Sequence, residues 1–266
     1  MNILDSDKSL WYLYYLENSQ IGFWKIGPLK LWIKRLSKEF DIVFEHSHDS
    51  EDRAILIEVP FAGKLPIKEN TFRFSFNNSY DCLSFSPSLP DRALVFRPEN
   101  PFYVIGGEST SIYVSSGLWL NIRCTEDNKN ILDIPIVKLT DTWFGEDPTS
   151  GEVCYASRTK AKLDLSDMRI YQYRFLTQIN IINQSDEPIK LARIKLPSKF
   201  LSLYMNSKGM IVTDTITVIK SDSKGSFKLE FHPPENESFG SIEKIVPARE
   251  TYQKNILSKT LSKVIG

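Results

Sequence analysis

The residues most able to do chemistry lie in Thr140-Asp-Thr-Trp-Phe-Gly-Glu-Asp-Pro-Thr-Ser-Gly-Glu-Val-Cys-Tyr-Ala156. Asp141, Glu146, Asp147 and Glu152 surround two glycines and a proline, with Trp143 and Phe144 just before the turn. Paired carboxylates beside aromatic rings suit glycoside hydrolysis or sugar stacking. The same residues also describe a hairpin loop in which Gly145 and Gly151 take unusual dihedrals and the rings enter the core. Asp141, Trp143, Phe144, Glu146 and Glu152 are therefore candidate ligand-binding residues. A carbohydrate-active or other hydrolase using carboxylates of the 141–152 loop is the alternative function, and no residue is assigned a catalytic role.

A second group is His46-Ser-His48-Asp49-Ser-Glu51-Asp52. Two histidines at i and i+2 share a face if the segment is a strand, and with nearby carboxylates they form a candidate divalent-metal pair. The plainer expectation is an acidic loop between strands. Arg92, Arg97 and Arg158, with Lys160 and Lys162, are candidates for carboxylate or phosphate recognition, or for ordinary ion pairs. Residues 25–38 carry five basic and no acidic side chains, and residues 39–52 carry six acidic side chains and no Lys or Arg. Folded back as a hairpin, these blocks neutralise each other across paired strands. Left unpaired, the basic block would suit anionic lipid or an acidic protein.

Nucleophile signatures are missing. There is no Gly-x-Ser-x-Gly and no P-loop, and Gly106-Gly107-Glu108 leads into a strand rather than a helix. Three histidines leave little material for a Ser-His-Asp arrangement. No cofactor is expected.

The elements that must position these residues have a period of two. Phe72-Arg-Phe-Ser-Phe76 and Leu29-Lys-Leu-Trp-Ile33 alternate, Arg53 to Val59 is a continuous β-type run, and Gly27-Pro28 reads as a hairpin turn. Further strands are expected at Ala93–Arg97, Phe102–Ile105, Ser111–Ser115, Leu118–Arg123, Ile134–Leu139 and Glu152–Ser157. Pro60, Pro66, Pro87, Pro90, Pro98 and Pro101 punctuate them. After Met168, Arg169 to Ile182 reads as a long strand, with Ile189–Leu196 as its antiparallel partner. The pattern predicts a mainly β fold of two β-sandwich domains, 1–163 and 164–247, the second immunoglobulin-like in layout. A C-terminal amphipathic helix over 248–266 closes the chain. Its stripe of Leu257, Leu261, Val264 and Ile265 either packs on its own domain or docks a protein partner.

Composition bounds the rest. The 266 residues carry 33 Lys plus Arg and 33 Asp plus Glu, so no broad nucleic-acid face is expected. The longest uncharged run is shorter than the roughly 20 residues a membrane helix needs. The first twenty residues place Asp5 and Asp7 where a secretory signal is basic. Cys82, Cys124 and Cys154 are odd in number and widely spaced, which suits free thiols in a reducing cytoplasm.

Asp91-Arg-Ala-Leu-Val-Phe-Arg-Pro98, Gly107-Glu-Ser-Thr-Ser-Ile-Tyr-Val-Ser-Ser116, and Trp143-Phe-Gly with Gly151-Glu-Val-Cys-Tyr-Ala156 resemble a prokaryotic family. It is catalogued as a domain of unknown function, number 432, and the likeness runs from about residue 20 to 265. The resemblance implies a soluble, β-rich protein. Some members are encoded beside mechanosensitive ion channels, so it also implies a possible membrane-channel association. It supplies no reaction and no catalytic residue. The expected function is a non-catalytic binding or accessory protein, cytoplasmic, with a role in regulating such a channel.

Overall fold

The computed structural model describes residues 10–49, 52–67, 71–145, 151–221, 227–251 and 265. In these the chain is mainly β, as the period of two predicts. It opens with β1 (Leu13–Tyr15), β2 (Ile21–Ile26), β3 (Leu29–Leu36), β4 (Glu39–His46), β5 (Ile55–Glu58), β6 (Phe72–Ser75) and β7 (Cys82–Ser88). There follow β8 (Leu94–Pro98), β9 (Phe102–Val104), β10 (Ser109–Gly117), β11 (Trp119–Cys124) and β12 (Asn130–Pro135). Next come β13 (Thr140–Phe144), β14 (Glu152–Ala161), β15 (Arg174–Asn183), β16 (Ile189–Leu191) and β17 (Ile194–Leu196). The chain ends in β18 (Leu203–Asn206), β19 (Ile211–Thr213), β20 (Thr215–Lys220), β21 (Phe227–His232), the single helical turn α1 (Asn236–Phe239) and β22 (Ile242–Val246).

Two compact units form, and neither is continuous in sequence. One comprises residues 1–88 and 118–138, the other 89–117 and 139–266. The division differs from the expected boundary between 163 and 164. Antiparallel pairing of β10 with β15 joins residues from both sides of that boundary, from Ser109↔Ile182 to Gly117↔Arg174.

The first unit has a sheet of order β5-β2-β3-β4-β6 and another of order β1-β7-β11-β12. Trp24 of the former is fully buried, with ring contacts to Tyr14 at 5.2 Å and Phe85 at 4.9 Å from the latter. Gly27, at φ 54°, leads the two-residue β2–β3 turn, a position that favours glycine. The opposed charge blocks fold back as expected. β3 and β4 pair Lys30 with Glu45 and Lys34 with Asp41, and Lys25 meets Asp52 at 2.8 Å. β7 was not expected, because Pro87 reads as a breaker. Pro87 lies beyond Cys82–Ser84, the stretch paired with β1, where a missing N–H breaks no ladder on that side.

In the second unit, β15 runs antiparallel to β10 and parallel to β19 and β20. These parallel pairings differ from the antiparallel sheets of an immunoglobulin-like layout. Ile189–Leu196 is not the partner of β15. It bends at Ala192-Arg193 into β16, which pairs with β9, and β17, which pairs with β8. The matching apolar faces are instead Ile112 and Val114 on β10 and Ile179 and Ile181 on β15, all buried. The sheet that carries most candidate residues has the order β13-β14-β8-β17. The expected C-terminal helix falls largely on residues 252–264, outside the described residues. Residues 248–251 are irregular, and Ile265 bridges Ile194.

Candidate functional site

The 140–156 segment is the β13–β14 hairpin, with Asp141↔Tyr155, Thr142↔Cys154, Trp143↔Val153 and Phe144↔Glu152 in register. Residues directly opposite one another share a face, and successive residues alternate. Asp141, Trp143, Val153 and Tyr155 therefore lie on one face, and Phe144, Glu152 and Cys154 on the other. The two ends of the hairpin meet at glycines. A Cβ on Gly145 would sit 2.4 Å from the Gly151 Cα, and one on Gly151 would sit 2.6 Å from the Phe144 carbonyl oxygen and from the Trp143 indole nitrogen. Glu146 and Asp147 fall outside the described residues.

The first face is partly open. Trp143 is 40% exposed and Val153 48%. On the same face Arg92 lies 3.3 Å from Asp141, with its guanidinium 5.2 Å from the Tyr155 ring. The Tyr155 hydroxyl donates to Asp91 at 2.9 Å. Burial, then the Asp91 hydrogen bond, pushes the phenol up to about 12. The exposed Arg92–Asp141 pair contributes at most about 1 kcal/mol.

The second face is closed at the hairpin end. Phe144 packs with Val95 and Cys154 in a small buried cluster. Lys195, from β17, is fully buried, and its ammonium donates to Glu152 at 2.5 Å while lying 5.4 Å from the Phe144 ring. Arg193 stacks on the same ring at 4.9 Å and donates to the Trp143 carbonyl. Burial, aided by Glu152 and opposed by Lys195 and Arg193, pushes the Cys154 thiol up to about 11. A thiol so held is a packing group rather than a nucleophile.

Asp141 and Glu152 thus face opposite sides of the sheet, each held by its own cation. Two carboxylates acting on one glycosidic bond must flank it from a shared cleft. The candidate arginines separate as well. Arg92 belongs with Asp141, whereas Arg97 is exposed and in register with Lys160 on the other face, with Arg158 close by on β14. Arg193 and Lys195 were missed from the sequence. Their spacing of two in a β-type run, which puts both cations on one face, was the available sign.

His46 ends β4 and His48 lies beyond it, exposed, so strand alternation does not join the two. The His46 Nε2 lies 2.6 Å from the Pro135 carbonyl oxygen, which sets it as the donor nitrogen. Burial holds its pKa below the ordinary histidine value, the Pro135 bond opposing and Lys138 adding. Among the described residues no three or more His, Cys, Asp or Glu side chains gather as a metal site.

Fold and site together define a mainly β protein built of two discontinuous units, with an aromatic surface patch on one sheet. Among the described residues no helix is long and apolar enough to cross a membrane. The chain belongs to the family described as Protein of unknown function (DUF432), whose sequence profile matches residues 10–265. Neither the curated proteins nor the solved structures contain a match to it.

Proposed function

We propose that this chain is a non-catalytic accessory protein that binds a protein partner through the β13–β14 hairpin. The observation that carries the reading is the pair of adjacent exposed side chains, Trp143 and Val153, on the outermost two strands of a sheet. Aromatic anchors rimmed by polar groups dominate protein interfaces, and here Arg92, Asp141 and Tyr155 supply the rim. The close Gly145–Gly151 approach holds the patch in a defined shape before binding, which lowers the ordering cost. The family resemblance suggests a mechanosensitive-type membrane channel as the partner and the cytoplasm as the location. Docking through a C-terminal helix is the companion proposal. The Trp24 ring contacts support reading the first unit as a β-sandwich.

The test is affinity capture from detergent-solubilised native membranes, read by mass spectrometry. The expected result is a channel subunit that is recovered by the wild type and lost with Trp143→Ala. Recovery unchanged by Trp143→Ala, or no recovery of a channel, overturns the reading. The hydrolase alternative predicts turnover of a sugar, ester or phosphate substrate that Glu152→Gln abolishes. The separation of Asp141 from Glu152 weighs against it.

A further inference from the structure

Beyond the hairpin, β8 and β14 carry three exposed cations, Arg97, Arg158 and Lys160, without a counter-ion among the described residues. Parallel pairing puts Lys160 in register with Arg97. Register partners project from the same face, on strands about 5 Å apart. Arg158 precedes Lys160 by two residues. Thr159 between them donates its hydroxyl to the Ser115 carbonyl and accepts from Arg174 at 3.3 Å. Arg158 lies within the irregular stretch of β14 between Ala156 and Lys160 and is exposed like Arg97 and Lys160. Glu99, the acid nearest Arg97 in sequence, meets Lys162 at 3.4 Å.

Like charges side by side on neighbouring strands destabilise a sheet. Elsewhere such a pair is answered by acids: Lys25 stands opposite Lys30 on neighbouring strands, and Lys25 meets Asp52 at 2.8 Å. Lys30 is set against Glu45, and Arg73 against Glu39 and Asp41. At Arg97, Lys160 and Arg158 no such compensation is present among the described residues. Arg193 adds a further positive charge on the β17 side, because it directly precedes Ile194, the register partner of Phe96.

Guanidinium forks match phosphate oxygens in bidentate fashion, and a lysine adds a point charge. Three cations answer a dianionic phosphate better than a single carboxylate. We infer that Arg97, Lys160 and Arg158 form a binding site for a phosphomonoester group, carried by a soluble organic phosphate or by a phosphorylated lipid headgroup. The site does not depend on the partner reading, because it uses neither Trp143 nor Val153. Capture of a channel tests Trp143, and phosphate binding tests Arg97.

The experiment is calorimetric titration of the full chain at low salt with glycerol 3-phosphate. Alongside it runs co-sedimentation with phosphatidylcholine vesicles with or without phosphatidic acid. Saturable binding of either probe is expected. Arg97→Gln or Lys160→Gln should weaken it at least tenfold, whereas Lys228→Gln, whose lysine pairs with Glu230 at 2.6 Å, should leave it unchanged. Retention on phosphatidic acid vesicles that Arg97→Gln removes assigns the lipid source. Binding of glycerol 3-phosphate without vesicle retention assigns the soluble one. Without ligand, Arg97→Gln should melt at or above the wild-type temperature, since it relieves like-charge repulsion. If it melts lower, Arg158→Gln at its exposed position carries the same binding expectation. No saturable binding of either probe, or binding that these substitutions leave intact, overturns the site.

Discussion

Lys195 and Glu152 form an ion pair across the width of β8, with the lysine side chain 2% exposed and the glutamate 40%. Removing one partner of a buried pair leaves the other charge in a poor solvent, which costs more than replacing it with an apolar isostere. Glu152→Gln strands the ammonium and is expected to lower stability by about 1–3 kcal/mol, the partial exposure of Glu152 moderating the loss. Lys195→Met keeps the alkyl stem against Phe144 and should cost less. Urea midpoints of the two variants compare them directly. A milder effect from Glu152→Gln would mean that the carboxylate does not compensate the lysine.

Gly145 and Gly151 make a different demand from Gly107. At Gly145 a methyl group would meet backbone at 2.4 Å, and the backbone has no way to step aside. Gly107 has open space around its Cβ position, and only its φ of +80° disfavours a side chain. Gly107→Ala should cost about 1 kcal/mol through backbone strain alone. Gly145→Ala should cost more and also splay the hairpin. Thermal melts give the ranking, and loss of amide protection in β13 and β14 under hydrogen exchange would report the splaying.

Local period and local charge made much of this fold legible. β2, β3 and β4 follow from alternation, and the acidic block at 39–52 already named the partner of the basic block at 25–38. What was not legible depends on strands distant in sequence. Nothing near Glu152 announces Lys195, because the pair exists only once β8 inserts between β14 and β17. Ile189–Leu196 has the right pattern for a partner of β15, yet pattern does not choose among partners, and the nine-residue β10 offers the longer match. Among the candidate site residues, Arg92 and Arg97 share a type but not a place. Arg92 sits in the bend before β8 beside Asp141, whereas Arg97 lies within β8 in register with Lys160.

His46 gives the first unit a pH response of known sign. Its folded pKa lies below the unfolded value of 6.5 because burial disfavours the imidazolium, an effect that outweighs the Pro135 hydrogen bond. The unfolded chain therefore binds the proton first. The stability this residue contributes is complete above pH 6.5 and is lost as pH falls from there through the lower folded value. His46→Gln keeps an N–H for the Pro135 carbonyl and removes the titration. The difference in urea midpoint between pH 7.5 and 5.5 should shrink in that variant, by an amount on the order of 1 kcal/mol or less. An unchanged difference would place the acid sensitivity elsewhere.

The cysteines test how closed these cores are. Cys82, Cys124 and Cys154 are free and buried. Desolvation by burial leads in raising both Cys124 and Cys154 to about 11. Nearby carboxylates, Glu126 and Asp127 for Cys124 and Glu152 for Cys154, push the same way, while Lys129, Lys195 and Arg193 pull back. Thiolate is the reacting species, so at pH 8 such thiols should react with a disulfide reagent about two orders of magnitude more slowly than an open cysteine. Titration of the native chain should show almost no release of thiol, and urea should expose all three. If one thiol reacts rapidly in the native protein and Cys154→Ser removes that phase, the Phe144 cluster opens on the timescale of the reagent. Lys195 would then meet water often enough to need Glu152 far less, and Glu152→Gln would lose most of its predicted cost.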